Sequence, residues 1–108
     1  MEKAEKDKIL QELGGIPEEI YNDLVKELLV QIKLQIPEMR EQLKQGDMEA
    51  LGKVIHSIKG SSGNLRLRKV EEIAKRINVA ARESGDTESM EDDLIRMEEA
   101  VGEVEKYF

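Results

Sequence analysis

Apolar residues along this 108-residue chain recur at helical spacing and show no alternating strand pattern. Turn signals fall at Gly14-Gly15-Ile16-Pro17, Gln45-Gly46-Asp47, Gly63-Asn64 and Ser84-Gly85-Asp86, and the segments between them read as helices. A short helix covers about Glu5 to Leu13, with Ile9, Leu10 and Leu13 on one side. From Pro17 to Gln45, the residues Ile20, Leu24, Leu28, Ile32, Met39 and Leu43 share a stripe at about 100° per residue. Pro37 lies inside this span; its ring clashes with the carbonyl of Lys33, which predicts a kink rather than two independent helices.

Asp47 is placed to cap the next helix, whose inner face is Met48, Leu51, Ile55, Ile58, Ser62 and Leu65. A further helix from about Arg68 to Ser84 buries Leu67, Val70, Ile73, Ala74, Ile77 and Ala81. The last, from Glu88 to about Tyr107, carries Met90, Leu94, Met97, Val101, Val104 and Phe108 in one stripe. Turns this short make successive helices antiparallel neighbours. The expected fold is therefore all-α: an antiparallel up-down four-helix bundle with a short extra N-terminal helix, forming one domain over residues 1–108.

Composition narrows the function. The chain has no cysteine, which excludes disulfides, thiolate metal sites and thiol nucleophiles. Its single histidine, His56, excludes His-pair metal sites. A net charge of −7 opposes binding to nucleic acid or to an anionic membrane. No apolar run approaches the roughly 20 residues of a membrane span, and the N-terminus lacks a signal-peptide core. A soluble, cytoplasmic domain without membrane insertion is expected.

The candidate chemistry centres on His56. On a helical wheel it lies roughly 140° from the apolar centre of its helix, facing solvent. Gly52 precedes it by one turn, Gly60 follows by one turn and Gly63 by two, all on its face. A glycine inside a helix costs about 0.5–1 kcal/mol relative to alanine, so two on one exposed face need a reason. Either another helix crosses closely there, or a partner approaches the imidazole over a surface cleared of side chains. Lys53 and Lys59, three residues before and after His56, would stabilise an anionic group carried on the ring. Residues 53–76 hold seven Lys/Arg against two acids, a local +5 that leaves −12 in the rest of the chain. A basic segment within an acidic protein suits a specific acidic or phosphorylated partner. The bland counterpart is an inert surface histidine on a solvated basic face.

The string His56-Ser57-Ile58-Lys59-Gly60-Ser61-Ser62-Gly63-Asn64-Leu65 resembles the signature of histidine-containing phosphotransfer (HPt) domains of two-component phosphorelays. The Gly-Asp turns before and after, and the Ala50-Leu51 pair, extend the resemblance over essentially the whole chain. It implies that His56 is the phosphorylated residue, Lys59 the cation at the phosphoryl group, Gly60 the small residue giving a partner room, and Ser61 a small neighbour. Two departures stand out: Ile55 where the family often has alanine, and Arg66 where it often has glycine.

The resemblance further implies a phosphocarrier, not an enzyme. It would pass phosphoryl groups between receiver-domain aspartates, with response-regulator receivers or a hybrid sensor histidine kinase as partners. The chain has no Walker A loop or metal-binding cluster. No cofactor is expected on it, and magnesium is expected on the receiver. The alternatives are the phosphoacceptor domain of a chemotaxis-type histidine kinase and a non-catalytic helical adaptor. Docking residues expected around the histidine are Gly52, Lys53, Gly60, Ser61 and Gly63, together with the off-stripe Val30 and Leu34 of the second helix. Alternatively, the N-terminal helix covers Val30 and Leu34 through Ile9, Leu10 and Leu13.

Overall fold

A computed structural model describes the whole chain, Met1–Phe108. It is all-helical, with five helices and no strand: α1 (Lys3–Glu12), α2 (Glu18–Gln45), α3 (Met48–Asn64), α4 (Arg68–Val79) and α5 (Thr87–Glu105). A π-helical turn, Ala80–Ser84, prolongs α4. The four longer helices pack in ring order, α2 on α3, α3 on α4, α4 on α5 and α5 on α2. The molecule measures 42 × 22 × 17 Å, its length that of α2.

Local chemistry sets the ends of the helices. Gly46 adopts φ +71°, a left-handed conformation that costs glycine nothing, and Asp47 N–H closes back onto the Gln42 carbonyl at 2.9 Å. Asp47 then caps α3, its carboxylate accepting from Ala50 N–H at 3.1 Å, and Asp86 does the same for α5 with Ser89 N–H at 3.2 Å. Between α3 and α4 stands Arg66, the one non-glycine residue with positive φ, at +62°. It takes the glycine-like conformation despite its Cβ, at a strain on the order of 1 kcal/mol. Its guanidinium offsets that by donating to the Gly63 and Asn64 carbonyls at the end of α3.

The buried stripe of α2 differs from the expected one. Ile20 and Leu24 are exposed, and Tyr21, Val25, Leu29 and Ile36 are buried alongside Leu28, Ile32, Met39 and Leu43. A row taken at every fourth residue turns by about 40° per step, so the row through Leu28 and Ile32 leaves the core when traced back to Ile20. The helix runs unbroken through Pro37. On α3, Leu51, Ile55, Ile58 and Ser62 are buried as read, with Met48 and Leu65 half-buried. On α4 the buried set gains Asn78, and Ala81 is half-buried. On α5 it gains Asp93 and Ala100, with Val104 and Phe108 only half-buried.

Charges match between helices. Lys33 pairs with Glu105 and Arg40 with Glu98, so positions seven apart on α2 meet positions seven apart on α5. Each surface pair contributes only about 0–1 kcal/mol, but a repeated pattern specifies one register over its neighbours. Between α4 and α5, Lys69 pairs with Glu103, and the buried Asp93 accepts from both Arg76 (3.3 Å) and Arg96 (2.9 Å). A carboxylate this deep is tolerated because two guanidiniums compensate its lost hydration.

Helix α1 closes one end of the bundle. Only Ile9 on it is fully buried; Lys6 pairs with Glu18 at 3.2 Å and sits 4.7 Å over the Phe108 ring. Phe108 in turn lies 5.9 Å from Tyr21, whose hydroxyl donates to the Leu65 carbonyl at 2.7 Å. Burial pushes the Tyr21 phenol up to about 12, the Glu5 carboxylate adding to the rise and Arg66 opposing it. An unfolded chain loses this proton near pH 10, so between pH 10 and 12 the native state binds a proton the unfolded state has released. The stabilisation is complete below pH 10 and disappears as pH rises towards 12. Denaturant unfolding of the parent is expected to weaken over that window more steeply than that of Tyr21→Phe, which has no proton to lose. Equal alkaline slopes would remove Tyr21 as the cause.

Candidate functional site

His56 is exposed in the middle of α3, directly after the fully buried Ile55 and two residues before the nearly fully buried Ile58. Successive helical residues are about 100° apart, so the inward anchoring of Ile55 and Ile58 holds the His56 backbone while leaving its ring in solvent.

The glycines around it are of two kinds. A Cβ at Gly52 or at Gly60 would meet nothing within 4 Å. No helix crosses there, so close packing does not account for either residue, and both leave cleared surface one turn from the imidazole. Gly63 is different: a Cβ there would come within 2.5 Å of a Glu71 carboxylate oxygen. The Glu71 side chain of α4 takes the space over Gly63, which removes it from the open surface expected around the histidine.

Polar groups flank the ring unequally. Lys59 is half-buried, whereas Lys53 is exposed and lies 3.8 Å from Glu49, one turn back. Ser57 is exposed and Ser61 half-buried. Ser62 points inward, its hydroxyl bonding to the Ile58 carbonyl at 2.7 Å.

Between α3 and α4 lies an open groove of about 540 Å³. Met48, Glu49, Gly52, Lys53, His56 and Lys59 line it from α3, and Asn78, Ala81 and Arg82 from the opposite wall. Sequence patterning does not single out Asn78 or Arg82. Along the chain Asn78 looks like one polar residue beside a buried stripe, and Arg82 like a solvated cation near a helix end. Arg82 sits on the π-helical turn, closed by the Gly85 N–H to Ala80 carbonyl bond at 2.7 Å. Such turns carry one residue more than an α-turn and rotate the side chains beyond them, and nothing in the local sequence announces one. The groove thus brings Lys53, Lys59 and Arg82 around one imidazole, against the single acid Glu49.

The expected α2 contribution is not assembled with these residues. No α2 side chain lines the groove; Val30 opens on a separate depression with Lys26, Leu29, Glu105 and Phe108, at the α2–α5 seam. Nor does α1 cover the pair: Val30 is 60% and Leu34 73% exposed. His56 lines the groove with Asn78, Ala81 and Arg82, which neither Val30 nor Leu34 borders. No group of three or more His, Cys, Asp or Glu side chains converges to hold a metal, and no helix is long and apolar enough to cross a membrane.

A helical domain that presents one solvent-facing histidine among cations, on a surface cleared by glycine, has the form of a phosphoryl carrier. The family model described as the Hpt domain matches residues 23–107, most of the chain, and the protein belongs to that family. Comparison with curated proteins and with solved structures found no match. Its family places it in histidine phosphotransfer within two-component signalling, with response regulators and histidine kinases as the interacting class and a carrier's role rather than an enzyme's. Helix α1 and the first turn of α2 lie outside the matched residues.

Proposed function

We propose that His56 accepts a phosphoryl group from the aspartate of one receiver domain and returns it to the aspartate of another. One observation carries this reading: the ring stands exposed between Gly52 and Gly60, each facing open space, with Lys59 and Arg82 lining the same groove. We read the frame as an up-down antiparallel bundle capped by α1, supported by the cross-pairs Lys33–Glu105 and Arg40–Glu98, whose numbers run in opposite directions.

In the forward step a ring nitrogen with a free lone pair attacks the phosphorus of an aspartyl phosphate. The P–O bond to the carboxyl breaks, an N–P bond forms and the aspartate leaves as a carboxylate. The second receiver's aspartate reverses these changes. Receivers supply the carboxylate and a magnesium ion, which neutralises charge on the moving group. This chain holds the imidazole still and adds cations: Lys59 and Arg82 at the phosphoryl oxygens, with Lys53 on the rim. Gly52, Gly60 and Ser61 form the surface over which the receiver approaches.

Incubation with a receiver charged by acetyl phosphate is expected to label His56 with acid-labile, base-stable phosphate, whereas an ATP-charged chemotaxis-type kinase core is not. Labelling by the kinase core alone would overturn the relay reading. Lys59→Ala is expected to slow transfer about 10- to 100-fold with the fold intact, the size of a lost charge-assisted contact of about 1.5–3 kcal/mol. Parent-like rates would take Lys59 out of the mechanism. Gly60→Gln is expected to strengthen the helix slightly, by up to about 1 kcal/mol, while weakening receiver binding. Tighter binding would contradict the need for cleared surface.

A further inference from the structure

Three polar residues of the chain are buried, and two of them are paired. Ser62 bonds to the Ile58 carbonyl, and Asp93 accepts from Arg76 and Arg96. The third, Asn78, is only 6% exposed, and its carboxamide forms no hydrogen bond within the chain. Ala74 one turn before it and Ile77 beside it are fully buried, so an apolar side chain would fit the position. A buried amide without a partner costs free energy that an apolar side chain would not.

The amide is not closed off. The unpaired side-chain oxygens sealed from solvent belong to Asn22, Gln35 and Gln42 on α2, whereas Asn78 lines the His56 groove from α4. Asn78 and His56 share this groove and are not hydrogen-bonded to each other. The carboxamide therefore does not hold the bare ring. Its donor and acceptor stand free in a groove that gains negative charge when the ring is phosphorylated. The charged groups of the lining are Lys53, Lys59 and Arg82, and the single acid Glu49, which faces Lys53. Apart from the imidazole itself, Asn78 is the one uncharged side-chain donor among them.

We propose that Asn78 is a phosphoryl-binding residue, its Nδ2–H donating to an oxygen of the phosphoryl group carried on His56. This deepens the carrier reading and rests on it. The bond forms only once the ring is phosphorylated, so it stabilises the loaded chain relative to the bare one and shifts the equilibrium between them. Short and buried on α4, the carboxamide is fixed in place, whereas Lys53 and Arg82 are exposed. A donor held ready in this way needs no reorganisation when the charge arrives.

Phosphoramidate tests this without a receiver, passing its phosphoryl group to a ring nitrogen of His56 as ammonia leaves. Phosphorus NMR at one pH and a fixed ratio of phosphoramidate to ammonia gives the labelling equilibrium, which compares two folded states and is indifferent to docking. Asn78→Leu is expected to lower that equilibrium constant about 3- to 10-fold, the scale of one hydrogen bond, while raising the unfolding midpoint of the unphosphorylated chain. Asn78→Asp keeps the shape but can only accept and adds like charge, so its constant is expected to fall below that of Asn78→Leu. In the parent, the Asn78 side-chain N–H resonances are expected to shift when His56 is labelled. Parent-like equilibria in both variants would overturn the proposal. So would an Asn78→Asp variant labelled as fully as the parent, which would make the amide an acceptor from the ring N–H instead. A lowered midpoint in Asn78→Leu would overturn it too, by showing the amide paired in the fold. Failure of a charged receiver to label the parent would count against the relay reading and leave this equilibrium as it is.

Discussion

His56→Gln is expected to abolish phosphoryl labelling from a charged receiver completely, while leaving the helicity and unfolding midpoint of the chain within about 0.5 kcal/mol of the parent. Both halves come from one geometry. The ring is exposed and the residues one turn either side of it are glycines facing open space, so replacing it opens no cavity and strands no partner. Glutamine keeps size and polarity but offers an amide nitrogen whose lone pair is delocalised, so no N–P bond can form. The chain has no second histidine and no cysteine to take over. The check is a transfer assay with acid and base treatment of the product, alongside thermal and denaturant unfolding. Residual acid-labile label on the variant would place the phosphoryl group elsewhere. A large loss of stability would show that the imidazole packs in the fold.

The neighbouring residue carries the opposite expectation. Ile55→Ala is expected to destabilise the domain by about 2–5 kcal/mol, because Ile55 is fully buried and truncation removes transfer energy and leaves a cavity. For a domain whose total stability is about 5–15 kcal/mol, that is a large share, equivalent to a fall in midpoint on the order of 10–20 °C. The substitution brings in the alanine often found before the histidine in related sequences, and is costly in this chain because its core is built around the larger side chain. Denaturant titration at neutral pH measures it; a loss below about 1 kcal/mol would mean that Leu51, Ile58 and their neighbours collapse into the space. Far from the midpoint, His56 labelling per folded molecule is expected to persist, since the backbone of α3 is also held by Leu51 and Ile58.

Adjacent residues with such different fates explain why much of this protein is legible in sequence. One helix read at 100° per residue separates Ile55 from His56, and the caps and breaks come from residues with local reasons to be there: Asp47 and Asp86 as hydrogen-bond acceptors, Gly46 as the left-handed turn. The cleared surface at Gly52 and Gly60 is likewise inferable, because an exposed helix face gives glycine no packing reason. What escapes is relational. A stripe through Ile20 and Leu24 is as plausible along the chain as the buried one, because a four-residue row fits several rotations of a helix, and only contact with α3 and α5 selects one. Gly63 shares the wheel position of its open relatives, yet Glu71 from α4 lies over it. The seven-residue spacing of Lys33 and Arg40 against Glu98 and Glu105 is visible along the chain, but becomes a signal only once α2 is known to lie beside α5.

From its sequence alone this protein is determined to be helical, to break where it breaks, and to hold one imidazole out of its core beside two lysines, because those properties belong to single helices and obey their 3.6-residue period. Tertiary packing alone decided that the imidazole opens towards α4, that Asn78 and the π-turn residue Arg82 join it, that Val30 and Leu34 face elsewhere, and that α1 seals the Tyr21 end. These depend on which helix lies against which and at what rotation, set by long-range contacts that no local period encodes.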